Sequence, residues 1–195
     1  MVAHGKKAIG RMSQLIKDTL DYSLATNNRT EAGQVDMRKC VDEVLSDLRA
    51  EIIASNAQIE VQELCTLFGY PVQLRMLLQN LIGNAIRYRT EENPPRITIT
   101  CTSEGPDGPS MLRVSDNGIG IAPEDQSRIF GLFQRLHLQS DYPGSGLGLA
   151  TCQRIALNHA GEISVQSVPG EGSTFEVTLN LPLAQNRLNT KDMAA

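Results

Sequence analysis

Asn80, Asn84 and Arg87 fall at steps of four and three within VQLRMLLQNLIGNAIRYR. On a helix they form one strip beside an apolar face made by Leu74, Leu77, Leu78, Leu81 and Ala85. Two asparagines at the margin of a core can hold a metal or a polar ligand without adding charge. Arg87, one turn further, can reach a phosphate. The same spacing also suits a surface helix whose polar edge is simply uncharged. In MLRVSDNGIGIAPED, alternation sends the Asp116 carboxylate to the side of Leu112 and Val114, the core side. An inward carboxylate is costly unless it meets donors. The exocyclic amino group of a flat ring such as adenine suits it, with Gly118 and Gly120 leaving room beside it. A turn in which Asp116 or Asn117 bonds its own backbone is the competing explanation.

The third stretch is YPGSGLGLATCQRIALNHAG, with Gly144, Gly146 and Gly148 at alternate positions before a helical run. It is not the dinucleotide pattern GxGxxG, because Leu149 stands at the last required position and LHLQSDYP precedes it in place of a strand. No Gly-Lys-Ser/Thr follows, which excludes the P-loop. What remains is a lid feeding a helix whose first N–H groups point at an anion, or a plain flexible loop.

These residues need elements to hold them. KKAIGRMSQLIKDTLDYSLA places Ile9, Met12, Leu15, Ile16, Leu20 and Tyr22 on one helical stripe, broad enough for a partner helix. The polar TNNRTEAGQ reads as a linker. From Val35 the spacing predicts a short strand, a helix over 38–55, short strands near 59–61 and 65–67, and a helix over 72–88. A hairpin of RITITCT with SMLRVSD, a helix over 150–159 and a closing hairpin of EISVQSV with TFEVTLNL complete the pattern. Adjacent hairpins separated by helices predict an α+β fold, a two-layer α/β sandwich with a mixed sheet covered by helices on one face. One long helix precedes it.

The chain has 195 residues, 41% of them hydrophobic, and a formal charge of −4. That allows a real core and gives no reason to expect a nucleic-acid surface. No apolar run approaches the ~20 residues of a membrane span, and the first ten residues lack the apolar core of a signal peptide. Cys40, Cys65, Cys101 and Cys152 form no CxxC pair and read as reduced, mostly buried thiols of a cytoplasmic protein.

Taken in order, LLQNLIGNAIRYR, VSDNGIGI, IFGLFQRL, GSGLGLA and GEGSTFEV resemble the N, G1, F, G2 and G3 boxes of sensor histidine kinases. These are members of the GHKL ATPase group that also holds gyrase, heat-shock chaperone and mismatch-repair enzymes. The wording around the lid looks most like the phytochrome-like subfamily. The resemblance implies a Bergerat fold over 35–183, flanked by a dimerisation-helix stub (1–25), a linker (26–34) and a polar tail (184–195).

It further implies ATP and Mg²⁺ as ligands. Asp116 is then the acceptor for the adenine amino group, Gly118 and Gly120 shape the base pocket, and Thr174 joins through water. Asn84 is the Mg²⁺ ligand with Asn80 near it, and Tyr88 packs beside the base. Arg87 stands where the family often has lysine and meets phosphate as a fork. Gly144, Gly146, Leu147 and Gly148 supply the lid backbone, Arg135 is the electrophile at the γ-phosphate, and Phe130 and Phe133 plug the lid into the core. Asn80 replaces the glutamate that hydrolytic relatives use as a base. An amide cannot take a proton at neutral pH, which favours phosphoryl transfer over hydrolysis.

The resemblance implies a phosphoacceptor histidine on the first helix of a hairpin and a response regulator beyond it. The acceptor motif is not found. GRMSQLIKDTLDYS resembles the second hairpin helix, so autophosphorylation of this chain alone is not expected. His4 is followed by Gly-Lys-Lys, His137 lies in the lid, and His159 sits near a helix end where a cation favours the dipole. The stripe from Ile9 to Tyr22 makes a homodimer through residues 1–25 possible. A nucleotide-binding scaffold without catalysis and an anti-sigma-type serine kinase are the competing functions.

Overall fold

The computed structural model describes residues 12, 15, 16, 18–26, 31–90, 92–105, 108–136 and 145–181. A helical segment α1 (18–26) is followed by β1 (Gly33–Asp36), α2 (Met37–Asp47), α3 (Arg49–Ser55), β2 (Gln58–Val61), β3 (Thr66–Gly69) and α4 (Pro71–Arg87). Then come β4 (Arg96–Ser103), β5 (Ser110–Asp116), α5 (Pro123–Gln126), α6 (Gly148–Asn158), β6 (Ile163–Val168) and β7 (Gly172–Leu179). Five strands make one sheet in the order β2-β4-β5-β7-β6, and β1 pairs with β3 apart from it. Only β2 and β4 run parallel; the other neighbours are antiparallel. The mixed sheet and both hairpins are those the sequence predicts.

Each element has a local cause. Pro71 opens α4, where its missing N–H costs nothing. The stripe of Leu74, Leu77, Leu78, Leu81, Ile82 and Ala85 is wholly buried, against α6 and β5. The sheet answers with Ile97, Ile99, Leu112, Val114, Phe175 and Val177, all at most 5% exposed. The alternate residues Arg113 and Glu176 pair across β5 and β7 on the open face. Asp36 caps α2 by accepting from the N–H groups of Arg38 and Lys39. The helix expected over 38–55 is broken in two at Leu48, whose backbone (φ −88°, ψ 10°) leaves the helical region. No Pro or Gly announces that break.

His159 is fully buried and ties α6 to the start of α4. Its Nε2 accepts from the Tyr70 N–H at 3.0 Å, and its Nδ1 lies 2.8 Å from the Ile155 carbonyl. Those partners demand one proton, on Nδ1, and hence a neutral ring. Burial lowers its pKa below the usual 6.5. The expectation of a helix-end cation is therefore corrected: the role is structural, but the ring is uncharged.

A pH effect follows. Below the unfolded pKa of 6.5 the unfolded chain takes up a proton that the fold refuses. The stability this site contributes is complete at higher pH and is lost as pH falls from there toward the depressed folded value. Urea midpoints measured at roughly pH 7.5 and roughly pH 5.5 should fall with acidification, and His159→Gln should flatten that slope. An identical slope in the variant would remove His159 as its source.

The segment α1 lies against the rest of the fold by Asp18, Asp21, Tyr22 and Ala25, the less exposed positions of its sequence at helical spacing. Ala25 is fully buried, and its carbonyl accepts from Asn158 Nδ2 at 2.6 Å. Of the predicted stripe, Met12, Leu15, Ile16 and Leu20 point the other way and, with Leu24, are 42–63% exposed, whereas Tyr22 turns inward. Ile9 lies outside the described residues. Among the described residues no helix is long and apolar enough to cross a membrane.

Candidate functional site

Helix α4 forms the shared wall of two adjoining cavities. Asn84, Tyr88, Ile129, Gln134 and Leu149 line both. The first is mostly apolar, closed by Ile119, Ile121 and Phe175, with Asp116 and Ser173 as its polar groups on the strands. The second is polar, lined by Asn80, Arg87, Ser145, Gly146, Gly148 and the acids Asp18, Asp21 and Glu51. With their mouths they hold about 630 and 1020 Å³, room for a ligand much larger than a single ion.

Asp116 ends β5 on the core side, as its alternation with Leu112 and Val114 requires. Its Oδ1 accepts from the Gly118 N–H at 2.8 Å, so the turn that competed with a ligand role exists alongside the cavity. Burial raises the Asp116 pKa, while the backbone N–H groups of Gly118 and Ser173 pull it down. Asn117 takes no part; it receives the Arg96 N–H at 2.7 Å and donates to Pro94. Two backbone approaches shape the wall beside Asp116. A Cβ on Gly118 would sit 2.5 Å from the Tyr88 carbonyl oxygen, and one on Gly120 would sit 2.0 Å from that of Val168.

Asn80 donates from Nδ2 to the Met76 carbonyl at 3.0 Å, which turns Oδ1 toward the start of α6. A Cβ on Gly148 would lie 2.8 Å from that oxygen. Glycine at 148 thus lets the helix start come down onto α4. Ser145 Oγ accepts from the Leu147 N–H at 3.2 Å and is hydrogen-bonded to the Asp18 carboxylate.

Several sequence expectations change in detail. Thr174 faces away from the cavity: it pairs with Ser115 in the register and donates to Ser115 Oγ at 3.0 Å. Ser173, opposite Asp116, lines the cavity in its place. Leu147 is 2% exposed and buries its side chain, so only its backbone can serve a ligand, and Leu149 lines the cavities instead. Arg135 lines the apolar cavity and not the polar one where Asn80 and Arg87 stand. Phe130 packs on the core, but Phe133 is 64% exposed with φ 58° and plugs nothing. Gly144, His137 and His4 lie outside the described residues. Alternation with Phe175 and Val177 already puts Ser173 inward, a signal present in the sequence. Ser145, Ile129 and Gln134 carry no such signal, because loop geometry brings them in.

The family model of histidine kinase-, DNA gyrase B-, and HSP90-like ATPases matches residues 69–184. Cyanobacterial phytochrome A of Nostoc sp. is 39% identical over 173 residues, 89% of this chain and 22% of that protein. Among solved structures, a mycobacterial sensor histidine kinase, MprB, superposes with a TM-score of 0.66 at 26% identity, covering 78% of this chain and all of that one. Full-length ShkA in complex with AMPPNP gives 0.70 at 25% identity, covering 86% of this chain and 35% of that one. The chain belongs to the histidine kinase-, DNA gyrase B- and HSP90-like ATPases, as the ATP-binding catalytic domain of a sensor histidine kinase. It spans less than a quarter of the length of the phytochrome it matches.

Proposed function

We propose that this domain passes the γ-phosphate of ATP to a histidine on a dimerisation hairpin, from which a response regulator takes it in the cytoplasm. The observation that carries the reading is the division of one cleft into two chemistries. A half-buried carboxylate stands in an apolar half, while amides, Arg87 and lid backbone stand in the adjoining polar half. Adenine fits the first, with its amino group on Asp116, Tyr88 at its edge and Ser173 close enough to join through water. Phosphates fit the second, with Arg87 as a bidentate partner and Gly146, Leu147 and Gly148 at the α6 N-terminus as backbone donors.

Asn84 borders both halves and is the residue that would hold Mg²⁺; a bound ion supplies charge neutralisation between phosphates. Asn80 offers no base for water. Its amide is held between Met76 and α6, which favours transfer by positioning over hydrolysis. Arg135 supplies positive charge to the transferring group once the lid brings it from the apolar half. The similarity of the ATPase domain to ShkA, solved with AMPPNP, supports the nucleotide assignment. Residues 1–25 are read as a stub of the second hairpin helix and 184–195 as a polar tail; the linker expected over 26–34 stops short of β1, which opens the catalytic domain at Gly33 and not at Val35. The stripe of residues 1–25 serves a homodimer.

The test is transfer in trans. Mixed with γ-labelled Mg–ATP and a separately purified histidine hairpin of a related sensor kinase, the chain should place acid-labile label on the hairpin and none on itself. Release of inorganic phosphate with an unlabelled hairpin would mean a hydrolase instead.

A further inference from the structure

The polar cavity is bordered by something the nucleotide reading does not use. Asp18 of α1 reaches across to the lid, where its carboxylate is hydrogen-bonded to Ser145 Oγ. That same oxygen receives the Leu147 N–H at 3.2 Å, one residue before α6 begins. An acid from outside the ATPase fold therefore stands at a helix N-terminus, where an anion is stabilised by backbone dipoles. Asp18 and Asp21 share this cavity with Asn80, Arg87, Gly146 and Gly148.

Resting on the assignment of phosphates to this half, we propose that Asp18 is an internal anion that competes with the nucleotide's phosphates. In this role α1 is a latch that lowers nucleotide affinity until it is released. The Leu147 N–H, one of the backbone donors assigned to phosphate, is committed to the Ser145 hydroxyl that Asp18 holds in place while α1 is docked. Carboxylates of Asp18 and Asp21 also repel a polyphosphate entering the same space.

The docking is built to be reversible. The face α1 turns inward carries Asp18, Asp21, Tyr22 and Ala25, whereas Leu15, Ile16, Leu20 and Leu24 remain 42–59% exposed. Little apolar area holds the latch shut, apart from Ala25 and its bond to Asn158. If the docked form dominates, the apparent affinity equals the intrinsic one scaled down by the undocked fraction.

Calorimetric titration of Mg–ADP into the full chain, Asp18→Ala and Ser145→Ala reads this out. Both variants should bind roughly threefold to tenfold tighter than the wild type. Amide exchange of residues 18–26 in the wild type should quicken when Mg–ADP is added. Ser145→Ala leaves α1 unaltered, so a folding defect peculiar to the Asp18 variant cannot mimic the result. Equal or weaker affinity in both variants, or exchange that slows on binding, overturns the latch and leaves the nucleotide reading standing. Absence of binding in all three chains overturns both.

Discussion

Asp116→Asn should bind Mg–ADP roughly tenfold to a hundredfold more weakly than the wild type, the range that a hydrogen bond to a charged group contributes. The reason lies in counting lone pairs. The backbone N–H groups of Gly118 and Ser173 already face the carboxylate. An adenine amino group is then a third donor. Two carboxylate oxygens accept three donors with ease, whereas the single amide oxygen accepts at most two and the NH₂ opposes one of them.

The same substitution should leave the melting temperature of the unliganded protein unchanged or raise it. Burial is the largest influence on the Asp116 pKa and raises it, so at neutral pH the ionised form is less favourable in the fold than in the unfolded chain. That penalty is present above the carboxylate range and vanishes as pH falls below it. An uncharged amide of the same shape escapes it. Loss of affinity without loss of stability marks a residue retained for a ligand. A variant with unaltered Kd would remove the adenine from this cavity.

The sequence makes legible whatever rests on short-range periodicity. The α4 stripe, the two hairpins and the inward turn of Asp116 follow from spacing alone, because each is fixed by burying one face. Four features escape for different physical reasons. The break at Leu48 has no breaker residue: only the backbone of Leu48 itself (φ −88°, ψ 10°) marks it. Motif position points to Thr174, although alternation with Phe175 and Val177 favours Ser173; the nearer physical signal outranks the pattern. The neutral state of His159 depends on Tyr70, 89 residues away in sequence, which no local rule supplies. Finally, α1 docks by its polar edge and leaves its apolar stripe outward. Amphipathic reasoning predicts the stripe and assigns it to a partner helix, but it does not foresee that the opposite, polar edge docks on this domain.

The glycines give the second large effect, and they give it with both signs. Gly120 has φ +69°, and an added Cβ would stand 2.0 Å from the Val168 oxygen and 2.6 Å from its carbon. The neighbouring backbone cannot yield cheaply. Ile119 donates to the Tyr88 carbonyl at 3.0 Å and accepts from Gly170 at 2.8 Å. Ile121 donates to Ser167 Oγ at 2.8 Å. Gly120→Ala therefore combines a left-handed backbone with overpacking, together about 2–5 kcal/mol, and should lower the melting temperature by roughly 5–15 °C. Nucleotide affinity should fall with it, since Ile119, Gly120 and Ile121 line the apolar half of the cleft. Gly83 lies in α4 beside the polar half, and a Cβ there meets nothing within 4 Å. Gly83→Ala should instead stabilise the fold by about 0.5–1 kcal/mol, because alanine leaves the unfolded chain with less entropy to lose on folding. Calorimetric melting of the two variants beside the wild type checks both signs at once. Equal melting temperatures for Gly120→Ala and the wild type would mean that the turn after β5 does not make the close approach on which the cavity wall depends.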